Sequence, residues 1–305
     1  MQPSLYQIRE PEFAKLVQKN ARMDVLWTGG RWCEGPAYFP AGRYLIWSDI
    51  PNDRVMRWDE MNGEVSVLQY PALNQNGHTV DAQGRLVCCE HRGRAVSRIE
   101  HDGSRKVLAD SFDGKKLNSP NDVVVKSDGS IWFTDPSYGI DSEYEGDAAP
   151  SEIGARNVYR IDPDGTVTLV IDDMVQPNGL AFSIDESLLY VADTGQTHVP
   201  DCEPKIRTYP VNHDGKSVGK GQDFVKSDAG LFDGFRLDVN GNIWSSAADG
   251  VHCFSPDGRL LGKILVDEVV ANICFGGPKR NRLFICATTS IRSIYVMTQG
   301  LSPWS

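Results

Sequence analysis

The chain repeats itself, and a period of tens of residues constrains an architecture more than any other feature. One unit is an apolar strand, a glycine turn and a second apolar strand. It recurs at 58–68 around Asn62-Gly63, 99–108 around Asp102-Gly103, 161–170 around Asp164-Gly165, 211–218 around Asp214-Gly215 and 254–264 around Asp257-Gly258. Glycine tolerates the positive φ of tight turns, so Asx-Gly between alternating runs signals a hairpin. A second unit interleaves with the first. A polar residue starts an apolar strand and a glycine turn follows eight positions later, from Glu34 to Gly42, Asn76 to Gly84, Asn121 to Gly129 and Asp233 to Gly241. Asn178 and Asn272 open matching strands with longer turns. Second strands follow at 44–48, 86–90, 131–135, 188–193, 243–246 and 283–287.

Six such copies, five of them with a complete second hairpin, describe four-stranded blades. The sixth copy stops one strand short after 291–297, and the run Met23-Asp24-Val25-Leu26-Trp27-Thr28 has the character of the missing strand. A ring closed in this way leaves no open sheet edge at its seam. The expected fold is all-β: a six-bladed β-propeller over residues 23–305, closed by an N-terminal strand. Residues 1–22, with Pro11-Glu12-Phe13-Ala14-Lys15-Leu16-Val17, read as a short helical extension packed outside it. Two β-sandwiches would need a linker and a composition shift, and neither is visible. At 305 residues, 40% hydrophobic and 24% charged, the chain suits one large closed β domain with a buried core.

The 31 Lys+Arg against 41 Asp+Glu leave a net charge of −10, which repels phosphate backbones and anionic lipid. Nucleic-acid and membrane partners are therefore not expected. No apolar run approaches the roughly 20 residues of a membrane span, and the N-terminal sequence shows no export signal. Seven cysteines form no CxxC and sit mostly in apolar runs, as buried reduced thiols of a cytoplasmic protein would. No GxSxG elbow, P-loop or GxGxxG after a strand is present. Asp238-Val239-Asn240-Gly241-Asn242 begins like an EF-hand loop but lacks the Glu at its twelfth position.

In a propeller the first strand of each blade lines a central channel. The polar residues that start these strands, Glu34, Asn76, Asn121, Asn178, Asp233 and Asn272, therefore form a ring of two carboxylates and four amides. Asx at a strand start can simply cap the preceding turn. Here the apolar strand after each residue keeps one phase, and Glu34 has no role as a turn residue. Two carboxylates near one axis repel unless a cation holds them ionised. Hard oxygen donors without His or Cys suit Ca²⁺ or Mg²⁺ rather than zinc or copper, and Ca²⁺ accepts more ligands at relaxed geometry.

Five segments carry a family likeness. They are Cys33-Glu34-Gly35-Pro36, Leu117-Asn118-Ser119-Pro120-Asn121-Asp122-Val123, Ile131-Trp132-Phe133-Thr134-Asp135-Pro136-Ser137-Tyr138-Gly139, Gln176-Pro177-Asn178-Gly179-Leu180-Ala181-Phe182 and Phe232-Asp233-Gly234. In order, over residues 24–298, the chain resembles the gluconolactonase, senescence-marker-protein (regucalcin) and luciferin-regenerating-enzyme family, bacterial gluconolactonases most of all. The resemblance implies a six-bladed propeller holding a divalent cation, usually calcium, on ligands matching Glu34, Asn121, Asn178 and Asp233. Zn²⁺, Mn²⁺ and Mg²⁺ stay open as alternatives to Ca²⁺. One departure is Ser119, which stands where animal members carry a substrate-binding Arg, so substrate contacts do not transfer in full.

The implied activity is hydrolysis of a sugar lactone such as glucono-1,5-lactone to the aldonic acid. The metal would polarise the carbonyl, and Asp233 would act as the base, or as a nucleophile. Another ester or organophosphate hydrolase on the same metal, or a non-catalytic metal- or sugar-binding propeller, are the other readings. Candidate substrate contacts are Asn76, His78, His91, Arg92 and Asp135, and Asp49, Asp193 and Asp249 reach the same face. Insertions at 139–156 and 194–205 interrupt the period and read as a rim over the site or, for the acidic run of the first, as a solvated loop.

Overall fold

The computed structural model describes residues 5–301. Residues 1–4 of the expected extension and 302–305 of the expected propeller lie outside the described residues. Six antiparallel four-stranded blades stand around one axis, with a separate two-stranded ribbon of Ser111–Phe112 and Lys115–Lys116, and among the described residues the α-helices are two short ones, Phe13–Leu16 and Tyr138–Asp141. Blade one runs outward through Cys33–Phe39, Tyr44–Asp49, Arg54–Asp59 and Val65–Gln69. Blades two to five occupy 75–109, 123–171, 177–226 and 235–265 in the same order. Blade six takes Val270–Gly276, Arg282–Ala287 and Ser290–Tyr295 from one end of the sequence and Asp24–Thr28 from the other. Asp24 pairs Ser293 and Thr28 pairs Ser290, so the seam is a hydrogen-bonded ladder, as the repeat predicts.

Period-2 alternation explains the packing. Each blade is covered on both faces by its neighbours, so its middle strands are buried throughout, as in Ile131–Asp135 and Ile243–Ala247. Those two strands carry Trp132 and Trp244, both fully buried, at the same position. The second-strand bounds fall within one residue of those read from the sequence. One turn differs: in blade one the left-handed residue is Arg43 (φ 52°) rather than Gly42.

The N-terminal extension holds the expected helix and, in addition, the strand Tyr6–Ile8, which extends blade five by pairing Gly262–Ile264 at its edge. Phe13 is fully buried between the helix and Trp244, 5.9 Å from its ring. All seven cysteines are free thiols, six of them buried. Among the described residues no helix is long and apolar enough to cross a membrane.

Candidate active site

The six ring residues stand where inner-strand pairing begins. In four blades the ladder with the second strand slips a register there: between Glu34 and Ala37, Gln75 and His78, Pro177 and Leu180, and Val270 and Asn272. Asn121 and Asp233 come just before the strands Val123–Val125 and Phe235–Leu237. A bulge bends its strand and re-aims a side chain, here away from the blade and toward the axis. In four of the six positions a glycine comes next, and close approach requires it. A Cβ on Gly179 would lie 2.1 Å from the Asp233 carbonyl oxygen, and one on Gly234 would lie 1.9 Å from Asn272 Cγ. The inner strands thus touch backbone to backbone, and Gly77 N donates to Asn121 O (2.8 Å) as Gly234 N does to Ala271 O (2.8 Å).

Around this ring the polar groups are ordered. The Glu34 carboxylate, 2% exposed, accepts Asn272 Nδ2 at 2.9 Å and the Gly35 amide. Asp233 donates its amide to Ser246 Oγ (3.0 Å), receives the Asn178 side-chain amide on its carboxylate, and keeps part of its surface open. Asp122, buried beside the ring, accepts the Val123 amide at 2.9 Å and lies 3.4 Å from Arg236 Nη1. Burial and the Asp122 charge push Glu34 up to about 8. Burial, then the charges of Glu34, Asp122 and Glu145, push Asp233 well above the usual carboxylate range.

His91 aims a further ring member. Its Nδ1 faces the Glu145 carbonyl oxygen at 3.1 Å, and a carbonyl can only accept, so Nδ1 carries the proton. Burial lowers the imidazole to about 4, so it is neutral and Nε2 is left to accept Asn76 Nδ2 at 3.2 Å. That turns Asn76 Oδ1 away, and it is buried without a partner. An unsatisfied buried acceptor is costly unless a ligand meets it. Among the described residues no three His, Cys, Asp or Glu side chains gather to hold a metal by themselves. The candidate donors are mixed instead: carboxylates of Glu34 and Asp233 and amide oxygens of Asn121 and Asn178. Such hard, partly neutral oxygens fit a Ca²⁺-like ion.

Other expected contacts are placed differently. His78 lies below the ring, its Nδ1 donating to Gly35 O at 2.7 Å and its Nε2 against Gln75 Oε1 at 3.0 Å, so both nitrogens are held by protein. Asp135 turns inward: fully buried, its two oxygens accept the amides of Asn118 (2.8 Å) and Ser119 (2.9 Å), which fixes the loop leading to Asn121. Asp193 does the same for Val175, Gln176 and Gly195, and Asp49 accepts Arg31 N and pairs Arg54. Asp249 pairs Lys263 and His252. Arg92 is exposed and ion-paired to Asp53 (2.9 Å) and Asp147 (3.0 Å), so it ties down the 139–156 insertion rather than facing the ring. Within that insertion Asp141, Glu143 and Asp147 are solvated, but Glu145 is turned inward toward His91, and burial followed by the Asp141 charge lifts it to about 7. The second insertion closes on the first through His198 Nε2 and Asp141 Oδ2 at 2.9 Å.

Sequence reading passes over Asp122, Glu145 and Ser246. Asp122 follows Asn121 where four of the other five blades have Gly, a break in the pattern that could have marked it; nothing local distinguishes Glu145 from its acidic neighbours.

The same architecture recurs among known proteins. The family described as SMP-30/Gluconolactonase/LRE-like region matches residues 32–289. The chain belongs to this family. It is 30% identical to a gluconolactonase of Zymomonas mobilis, over 95% of this chain and 85% of that one. It is 30% identical to the pentonolactonase XacC of Haloferax volcanii, over 85% and 82% of the two chains. A solved gluconolactonase from Xanthomonas campestris superposes with a TM-score of 0.89 at 38% identity, covering 95% of this chain and 94% of the other.

Proposed function

We propose that this chain is a sugar-lactone hydrolase whose reaction takes place at the ring of Glu34, Asn121, Asn178 and Asp233. Two of its relatives along most of the length are a gluconolactonase and a pentonolactonase by name, which supports a polyhydroxylated lactone as substrate. The observation that carries the reading is Asp233: a carboxylate that is not fully buried, held by the Asn178 side-chain amide and with its backbone fixed on Ser246, in the same ring as Asn76 Oδ1, a buried acceptor with no protein partner.

Glu34, Asn121, Asn178 and Asp233 would hold a Ca²⁺ ion, which supplies Lewis-acid polarisation of the lactone carbonyl. Asp233 accepts a proton from the attacking water as the water oxygen bonds to the carbonyl carbon. That proton then passes to the ring oxygen when its bond to the carbonyl carbon breaks, giving the hydroxy acid. Asn76 Oδ1, fixed by His91, accepts a substrate hydroxyl. Glu145 and the joined insertions narrow the mouth and exclude bulk water.

The test is the rate of glucono-1,5-lactone opening with Ca²⁺, after chelation, and in Asp233→Asn, together with the metal content of each protein. Chelation should abolish catalysis and Ca²⁺ restore it, and Asp233→Asn should lose turnover while other ring ligands retain the ion. Full activity after chelation, or in Asp233→Asn, would overturn the assignment. A panel of five- and six-membered lactones, aryl esters and phosphotriesters should show preference for the lactones.

A further inference from the structure

The inner strands run on from the ring to the opposite mouth of the channel, where they open into a second cavity of about 470 Å³. All six blades contribute, through Pro36, Val80, Val124, Phe182, Leu237 and Phe275 among others, and none of the ring residues lines it. Its volume is that of a small-molecule site and its walls are mainly apolar.

Two cations interrupt those walls. Arg236 is engaged, donating to Phe235 O at 2.7 Å and lying 3.4 Å from Asp122. Arg280 is not. Its Nη1 is buried without a hydrogen-bond partner, and among the described residues no carboxylate pairs with it. The backbone holds it firmly in place all the same. Arg280 has φ 52°, its amide donates to Gly277 O at 3.0 Å, and its carbonyl accepts Gly300 N at 2.7 Å. Arg43 and Glu186 make the same left-handed turn in the corresponding hairpins of blades one and four, so this conformation is part of the hairpin and fixes where the Arg280 side chain starts.

The cavity's own acids do not compensate. Asp185 is taken up by Ser183 Oγ and by Ser187 N and Oγ, and Glu186 by Ser127 N and Oγ and by Lys126. An apolar chamber with one unpaired guanidinium complements a small molecule with an apolar body and a single carboxylate.

We infer that the channel mouth opposite the ring binds a small amphipathic monocarboxylate, its hydrocarbon in the cavity and its carboxylate on Arg280. This site is separate from the lactonase ring and does not depend on that assignment. Guanidinium–carboxylate hydrogen bonds are charge-assisted and geometrically specific, so losing them should weaken binding about tenfold or more.

The probe is octanoate, titrated calorimetrically into the full chain, with 1-octanol and octylammonium as matched controls. Octanoate should bind with one-to-one stoichiometry and more tightly than either control. Arg280→Asn, a residue that accepts the left-handed turn, should weaken octanoate at least tenfold and leave lactone turnover unchanged. Thr79→Phe, which narrows the cavity from its wall, should weaken octanoate without changing charge, and it decides the matter if Arg280→Asn proves unstable. Asp233→Asn should bind octanoate as the parent does. Octanoate binding no tighter than octanol, or unchanged in both cavity variants, or lost in Asp233→Asn, would overturn the inference.

Discussion

Replacing Gly179 by alanine probes how the ring is held together. The added Cβ would sit 2.1 Å from Asp233 O, 2.9 Å from Gly234 Cα and 3.0 Å from Asp233 C, where real Cβ atoms keep at least 3.0 Å. All three neighbours are backbone of the adjacent inner strand, so no flexible side chain can yield. The strands must part by at least about 0.9 Å (from 2.1 to 3.0 Å), carrying Asp233 with them. Overpacking of this kind costs about 1–3 kcal/mol. In a domain of this size that lowers Tm by several degrees. Displacing a reacting group by about 1 Å costs on the order of 100-fold in rate. Initial rates of glucono-1,5-lactone opening and a thermal melt monitored by circular dichroism report the two effects separately. Gly219→Ala, whose Cβ meets nothing nearer than 3.3 Å, serves as the control. Parental kcat/KM and Tm in Gly179→Ala would refute the view that backbone contact between blades places Asp233.

Other outcomes follow from the contacts described. Phe13→Ala should destabilise the fold by about 3–5 kcal/mol, measured by urea unfolding, because a fully buried ring against Trp244 is removed. Glu268 resists desolvation through Ser290 Oγ (2.6 Å), the Thr289 amide (2.7 Å) and Arg292 Nη2 (2.8 Å), and is held at about 2. A depressed carboxylate stabilises the fold above its unfolded value and loses that contribution as pH falls. Glu268→Gln should therefore cost about 1 kcal/mol at pH 7, solvent screening at this partly exposed carboxylate reducing the effect, with the difference from the parent vanishing as pH drops toward 2. His91→Phe should lower kcat/KM roughly 10-fold by freeing the Asn76 amide to rotate, and His91→Gln, which can still accept Asn76 Nδ2, should recover part of it.

The propeller and its seam were readable because they rest on local signals repeated six times: hairpin glycines, period-2 strands and a polar residue at one phase. Glu34, Asn76, Asn121, Asn178, Asp233 and Asn272 came from that phase alone, and the structure brings all six to one ring. The strand Tyr6–Ile8 was not readable, because three residues show no period and their partners Gly262–Ile264 lie far along the chain. The surroundings of Asp135 were not readable for a related reason. A carboxylate ending a strand on the site face looks the same in sequence whether it meets a substrate or two backbone amides. Glu145 differs from Glu143 only in which way the insertion folds, and that depends on Arg92, Asp53 and His91 from two other blades.

The ladder between Asp24–Thr28 and Ser290–Tyr295 also dictates an order of events during synthesis. Asp24–Thr28 leaves the ribosome long before its partner is made. Five blades can form before the circle is joined, so the sixth must zip shut late, and a break anywhere in that ladder would turn a ring into an open arc.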